Sequence, residues 1–304
     1  MDEITIVSTQ DMPFEEVRRG RVHMIKRKRL PLDSGIPGIT MEYSLSIVPD
    51  GYFTPRHRHN FDQIRYTLSG IQSTGLGDLT AGECGYFPEG AYYGPQKQEG
   101  ECSCLVLQFQ GASGERLLSN EEMNATYEKL LKAGGKFENG VYRGFKPDGS
   151  PTNKDSYEAI WEEHEGRDLV FPPPRYRQPV MMLARNYRFW PDRKRPGIAI
   201  KHLGTFSEAR TSIAFLRLTP GAELKAGEQE DAELRFLTEG SFSYGGKRFG
   251  EGSYMYIPHG AATAPLHSDQ GATFFTITLP LLADITAGQQ PPWETARISG
   301  AGES

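Results

Sequence analysis

The chain repeats itself. Shifted by 170 positions, Gly51 falls on Gly221, Arg65 on Arg235, Gly70 on Gly240, Gly75 on Gly245 and Gly82 on Gly252. Tyr86, Pro88, Gly90, Ala91 and Pro95 fall in the same way on Tyr256, Pro258, Gly260, Ala261 and Pro265, and the block needs no gap. Most matched residues are Gly or Pro, which fix backbone geometry rather than chemistry. Two stretches that turn at the same places share a fold, so any architecture proposed for one half has to serve the other. The 304 residues leave room for two such units, at roughly 150 residues each.

The elements between the shared turns are strands. Ile39, Met41, Tyr43, Leu45 and Ile47 alternate with other residues, the period-two pattern of a strand with one buried face. Leu105, Leu107 and Phe109 close the first copy, and Phe275, Ile277 and Leu279 close the second. In the second copy Ile213 and Phe215 keep the register of Tyr43 and Leu45, but Arg217 stands in the place of Ile47. Leu216 and Leu218 add bulk to the opposite face, so this strand is expected to be buried on both sides or bulged near its end. With 34 Gly, 21 Pro, 14 Tyr and 16 Phe, the composition agrees with a mainly β chain of short strands and tight turns, a sandwich or barrel repeated in tandem.

Between the copies the period becomes helical. Ser119 and Glu122 form a capping box. Met123, Tyr127, Leu130 and Leu131 then share a face, and Gly134-Gly135 stops the helix. Tyr157, Ile160, Trp161 and His164 make a second amphipathic stretch, followed by the stiff Phe171-Pro-Pro-Pro174. The expected division is a first barrel over 1–112, a helical connector packed on it over 113–175, and a second barrel over 176–304. The tail after Gln289 has few apolar residues and is expected to fray. Ile4–Val7 reads as a short edge strand able to extend a sheet in another subunit, which makes a homodimer the expectation.

Charge and composition remove several function classes. Lys plus Arg is 34 against 39 Asp plus Glu, a net charge of −5. A nucleic-acid binder needs a basic surface, and this chain has none to offer. No apolar run reaches the roughly 18 residues of a membrane span. The acidic N-terminus is not a secretory signal, and three cysteines outside any zinc-ribbon spacing point to reduced thiols and a cytoplasmic setting. The expected partner is a small molecule.

The chemistry concentrates in GYFTPRHRHNFDQIRYTLSG, residues 51–70. His57 and His59, two apart on a strand, point to one face. Inside a small barrel their rings converge, and neutral imidazole suits Fe, Mn, Co, Ni, Cu or Zn. The alternative is a pair of interior imidazoles hydrogen-bonded without metal. Gln63 and Arg65 share the parity and should also face inward, Gln63 as a weak oxygen donor or a structural hydrogen bond. Arg65 suits an anionic substrate, but Arg235 persists in the copy without the His pair, which favours a scaffold role such as an internal ion pair. Arg56, Arg58 and Asp62 have outward parity, and Glu89 lies in a turn, so no general base is evident. Cys102 and Cys104 read as buried thiols.

These spacings resemble the two motifs of the cupin superfamily. Gly51, His57, His59, Gln63 and Gly70 stand at the first motif's spacing, with Gln63 in the place of its Glu. Gly82, Pro88 and Gly90 stand at the second, with Tyr93 in the place of its His and Lys97 in the place of its Asn. In the second copy Gly221, Glu233 and Gly240, then Gly252, Pro258 and Gly260, keep the spacing, but Gly227, Gln229 and Thr263 replace the three histidines. The resemblance implies a bicupin: two double-stranded β-helix (jelly-roll) barrels, the second with a degenerate motif. It implies a divalent transition metal, iron first and Mn, Ni, Zn or Cu after it, held by His57 and His59 with Gln63 and Tyr93 as further candidates. Gln63 removes the one negative charge of the usual set, so the centre favours an anionic oxygen chelate. A dioxygenase-like enzyme acting on a small oxygenated molecule is the first reading, with substrate contacts from Arg65 and Gln63. Tyr93 is the candidate for proton transfer where it is not a ligand. A Lewis-acid isomerase or lyase would need the same ligands, and other cupins are non-catalytic binding or sensor proteins.

Overall fold

The computed structural model describes residues 3–17, 24–32, 40–111, 113–145, 148–206 and 210–279. They divide into two compact units, Phe14–Arg29 with Thr40–Met182, and Met1–Pro13 with Leu30–Ile39 and Leu183–Ser304. Each contains a jelly-roll barrel. The expected tail after Gln289 lies outside the described residues.

In the first unit the main sheet runs in the order Val180–Met182, Cys84–Phe87, Phe61–Ser69, Cys102–Gln110, Glu42–Val48, Ile25–Leu30, Glu15–Val17. Facing it are short ladders, Phe53–Thr54 with Gln96–Lys97 and Ile71–Ser73 with Asp78–Thr80. Cross-strand register fixes which side chains share a level. Gln63 lies opposite Gln108 and Phe87, and Arg65 opposite Val106 and Gly85. Gly70, at a φ of 73°, turns the chain so closely that a Cβ would stand 2.5 Å from the Glu101 carbonyl oxygen. Its twin Gly240, at 86°, would stand 2.1 Å from that of Gly271. Only glycine serves at both.

The strand Glu42–Val48 corrects the expected orientation. Its inward face carries Ser44, Ser46 and Val48, all buried, while Leu45 and Ile47 of the apolar alternation are half-exposed on the other side. The alternation is real, but here the interior takes the polar set. On Phe61–Ser69 the parity holds, yet outward does not mean solvated. Asp62, Ile64 and Tyr66 are buried as well.

The segment between the barrels belongs to the first unit. Helix α1 (Asn120–Lys132) starts at the expected capping box, with Ser119 accepting from the Glu122 amide. Helix α2 (Ser156–Glu165) starts where Asp155 accepts from the Tyr157 and Glu158 amides, and ends on left-handed Gly166. Arg116 ties them, pairing with Glu122 at 3.0 Å and Glu165 at 2.9 Å. Between them lies a three-stranded sheet, Lys136–Glu138, Val141–Phe145 and Pro151–Asp155, that helical periodicity did not anticipate.

In the second unit the sheet order is Thr5–Ser8, Ser253–Ile257, Ala232–Tyr244, Ala272–Leu279, Thr211–Leu218, Ile198–Phe206, Trp190–Pro191. Thr5–Ser8 pairs with Ser253–Tyr256 of its own chain, so the strand expected to reach another subunit is engaged on one side already. Thr211–Leu218 is buried on both faces and pairs with Ala272–Leu279 without a bulge. No helix among the described residues is long and apolar enough to cross a membrane.

Asp62 gives this fold a pH signature. Its carboxylate accepts from the Tyr86 hydroxyl and the Glu89 amide, both at 2.7 Å. Burial pushes its pKa up to about 7, with the Glu89 charge adding to the rise and the two hydrogen bonds opposing it. The folded chain therefore keeps a proton that the unfolded chain releases near pH 4. The stability contributed by this group is full below about pH 4 and is lost as pH rises toward 7. Asp62→Asn should abolish that slope, recovering on the order of a few kcal/mol relative to wild type between pH 5 and 8. Urea unfolding at the two pH values reads it; parallel behaviour of the two proteins would refute the assignment.

Candidate functional site

The strap between Thr54 and Phe61 carries the two imidazoles. His57 exchanges both backbone hydrogen bonds with Tyr93, at 3.0 Å each, which locks the strap to the turn after Pro88-Glu-Gly90. Both rings are buried. The His59 ring stacks on Phe61 at 4.5 Å and meets Tyr157 edge-on at 5.7 Å. The Tyr157 hydroxyl in turn donates to the Asn60 side chain at 2.8 Å.

The rings converge on the Tyr93 hydroxyl. His57 Nε2 and His59 Nδ1 each lie 3.0 Å from it, and an Arg65 terminal N–H donates to it at 2.8 Å. The protons can be placed by counting donors and acceptors. His57 Nδ1 lies 2.8 Å from the Pro55 carbonyl oxygen, which only accepts, so this nitrogen carries a proton. With a neutral ring, His57 Nε2 is then an acceptor and Tyr93 donates to it. The phenol oxygen's lone pairs remain for Arg65 and for His59 Nδ1–H. One assignment satisfies every contact.

Arg65 is fixed by Gln63. Its Nε and a terminal nitrogen both donate to the Gln63 carbonyl oxygen, at 3.0 and 2.7 Å. The guanidinium also lies over the Phe87 ring at 4.4 Å. The second barrel has a related grip, with each N–H on its own carboxylate oxygen instead of both on one carbonyl oxygen. Arg235 donates to Glu233 through Nε at 3.0 Å and through a terminal nitrogen at 2.9 Å, an ion pair. Arg65 and Arg235 are 8% and 9% exposed. The expected internal ion pair thus exists in the second barrel, while in the first the same arginine faces a neutral amide.

The interiors differ correspondingly. The first barrel encloses a cavity of about 170 Å³, several times the roughly 30 Å³ of a water molecule. Its wall includes His57, His59, Gln63 and Arg65. Further along it are Ser46, Gln72, Gln96 and Cys104. Shifted by 170 these last four become Leu216, Phe242, Leu266 and Phe274, which are buried in the second barrel's apolar core. One copy has a polar cavity, and the other places buried apolar side chains at the same positions. The polar wall leaves the buried Gln72 Oε1 and Ser156 Oγ without hydrogen-bond partners. Buried polar groups are normally satisfied, so a polar occupant fits this space. Arg27, on the same wall, is neutralised by Glu42 and also bonds Asn120.

The structure therefore brings His57, His59, Gln63, Arg65 and Tyr93 together. It keeps Asp62 and Glu89 behind the sheet, where Asp62 accepts from the Glu89 amide and Glu89 from the Ser113 amide. Arg56 and Arg58 lie outside, over the half-exposed Tyr92 ring at 4.5 and 4.7 Å. Cys102 and Cys104 are buried thiols as expected, and burial pushes Cys104 up to about 12, so it stays uncharged. Among the described residues no three His, Cys, Asp or Glu side chains form a metal-holding group; the convergent donors here are two imidazoles and a phenol. Gln72, Gln96 and Ser46 escaped motif reading. Comparison of the two copies column by column, polar against apolar, would have found them.

Residues 178–282 match the family described as the ChrR cupin-like domain. Solved structures resemble nearly the whole chain. A candidate dioxygenase from Nostoc punctiforme is 14% identical, covering 93% of this chain and 84% of its own, at a TM-score of 0.65. A candidate glyoxylate-induced protein from Pseudomonas aeruginosa is 9% identical over 92% and 89%, at 0.54. A mutant of oxalate decarboxylase from Bacillus subtilis is 15% identical over 90% and 76%, at 0.52. Both barrels have the cupin fold. Among curated proteins no sequence matches significantly. The family match falls on the second barrel, while the first carries the histidines and the cavity.

The proton assignment is directly measurable. His57 should be the Nδ1–H tautomer at neutral pH, because the Pro55 carbonyl accepts from it. Long-range 1H–15N correlation of the imidazole nitrogens distinguishes the tautomers. An Nε2–H ring in wild type would overturn the network.

Proposed function

We propose that the first barrel is the active site of a metal-dependent, dioxygenase-like enzyme acting on a small oxygenated organic molecule, with the second barrel as its scaffold. The observation that carries this reading is the convergence of His57 Nε2, His59 Nδ1 and the Tyr93 oxygen on one buried point at a cavity wall. Donors 3.0 Å apart stand as close as neighbouring ligands of one ion at bond lengths of about 2.0–2.2 Å. The donor set therefore fits a divalent transition metal, iron first. His57 and His59 would hold it, with Tyr93 as third donor, once the Tyr93 hydroxyl has lost its proton and that of His59 has moved from Nδ1 to Nε2. The Pro55 carbonyl fixes the His57 tautomer that leaves Nε2 available, the arrangement seen behind metal-bound histidines generally.

When bound, the ion supplies Lewis acidity and, as iron, an electron source for O2; both oxygen atoms enter the organic product, so no external reductant is needed. The chain's own residues do the rest. Arg65 orients an anionic oxygen of the substrate at the wall. Gln63 serves as its positioning residue, since Arg65 occupies the Gln63 carbonyl oxygen twice. Phe61 and Tyr157 hold the His59 ring and exclude water from it. Arg65, donating to the Tyr93 oxygen at 2.8 Å, would stabilise the negative charge on that oxygen once its proton has left. A Lewis-acid isomerase or lyase held by the two histidines is the second reading, and the Tyr93 hydroxyl at the convergence point favours it, as the group that moves a proton where it is not a ligand.

Metal analysis tests the proposal. Protein reconstituted with Fe(II) or Mn(II) should retain one ion per chain, and the His57→Ala, His59→Ala double variant should lose it. Wild type that retains no more metal than the double variant would sink the proposal.

A further inference from the structure

The ligand's chemistry can be read from charge. Resting on the reading of the first barrel as the substrate site, and extending it, we infer that this barrel recognises a small hydroxylated carboxylic acid, its carboxylate on Arg65 and its hydroxyls along an uncharged tail subsite. The residue at position 63 decides whether an anion is accepted.

Among the described residues the cavity wall carries a single carboxylate, that of Glu42. Arg27 and Glu42 cancel one another. His57 and Tyr93 share one proton along their hydrogen bond, and wherever it sits the pair has no net charge. Cys104 is a buried thiol. Arg65 remains, 8% exposed, with no carboxylate in ion-pair range among the described residues. Burying an uncompensated guanidinium is costly. The second barrel shows how this scaffold removes the cost, by placing a carboxylate two residues earlier on the same strand. That barrel has apolar side chains where the first has its cavity. Charge is left open only where there is space to fill. A carboxylate ligand in the first barrel would complete for Arg65 the pairing that Glu233 completes for Arg235.

The far end is neutral. Two residues along the strands from Arg65, Cys104 lies opposite Ser46, and the Gln72 amide donates to the Cys104 sulfur at 3.4 Å. Its other end, Gln72 Oε1, is buried and lacks a donor. A ligand hydroxyl supplies that donor. A second carboxylate would not, since it only accepts.

Chelator-treated protein at constant ionic strength is the test, so that anion binding is read apart from metal. Glycerate should bind wild type. Glycerol, which has the hydroxyls without the charge, should not, and malate should bind about tenfold more weakly than glycerate. Gln63→Glu should weaken glycerate roughly 10- to 100-fold while raising the thermal midpoint, because it installs the ion pair of the second barrel. Glu233→Gln should lower the midpoint and leave glycerate binding unchanged. Equal glycerate binding by wild type and Gln63→Glu, glycerol binding as tightly as glycerate, or no glycerate binding at all would each overturn the inference. Metal content of the same preparations separates the two claims. One retained ion with charge-independent ligand binding defeats only this inference. Charge-dependent glycerate binding in a protein that never retains metal defeats only the metal reading.

Discussion

Each barrel buries a guanidinium in its wall, gripped by the residue two places earlier on the same strand. Both grips use Nε and a terminal nitrogen, Arg65 with both on the one Gln63 carbonyl oxygen and Arg235 with one on each Glu233 oxygen. What differs is the sign of the partner. A carboxylate makes a closed pair that needs nothing further, whereas an amide fixes the guanidinium in place and leaves its charge to be answered from elsewhere. Around Arg65 the answering groups are a phenol oxygen and two imidazoles, none of which brings a net negative charge. The polarity of the whole first cavity follows from that open charge, because an apolar lining beside it would add desolvation without compensation.

The filled barrel shows what the hollow one forgoes. Leu216, Phe242, Leu266 and Phe274 are almost wholly buried, and such side chains contribute roughly 1.5–3 kcal/mol each. Their counterparts Ser46, Gln72, Gln96 and Cys104 contribute far less. The first unit offsets this with an added layer. The segment joining the copies folds back over it, and its own core of Leu118, Met123, Leu130, Ile160 and Trp161 is nearly dry. Met123, Tyr157 and Ile160 from that layer also line the cavity. The helices therefore stabilise the unit and close its pocket at once, which a bare barrel with a polar interior could not do.

Much of this was legible in the sequence because turns are written in Gly and Pro. The duplicated turns gave two barrels, the capping box at Ser119 gave the start of α1, and the parity of His57, His59, Gln63 and Arg65 gave their common direction. Parity fails at the question of which face is inside. On Glu42–Val48 the apolar residues are the natural inward set, but around a polar cavity the usual pattern is inverted, and the serines point in. Asp62 reads as solvated when outward is equated with exposed, whereas both faces of that strand are covered. The three-stranded sheet of the connector was hidden because its short strands have no sustained alternation.

The role of Arg65 illustrates the limit best. Its persistence as Arg235 suggests a scaffold residue, and the hydrogen-bond geometry agrees, since both arginines hold the same position in the wall. A scaffold role and a binding role are not alternatives, however. The same rigid guanidinium is inert when its partner is Glu and an unanswered cation when its partner is Gln. Duplication supplies the comparison within one molecule: backbone, arginine and burial are matched, and a single oxygen-for-nitrogen exchange separates a closed ion pair from an open one. Function in such a pair need not arise by adding a reactive group. Here the two copies differ by one carboxylate and by the apolar side chains that stand beside it in only one of them.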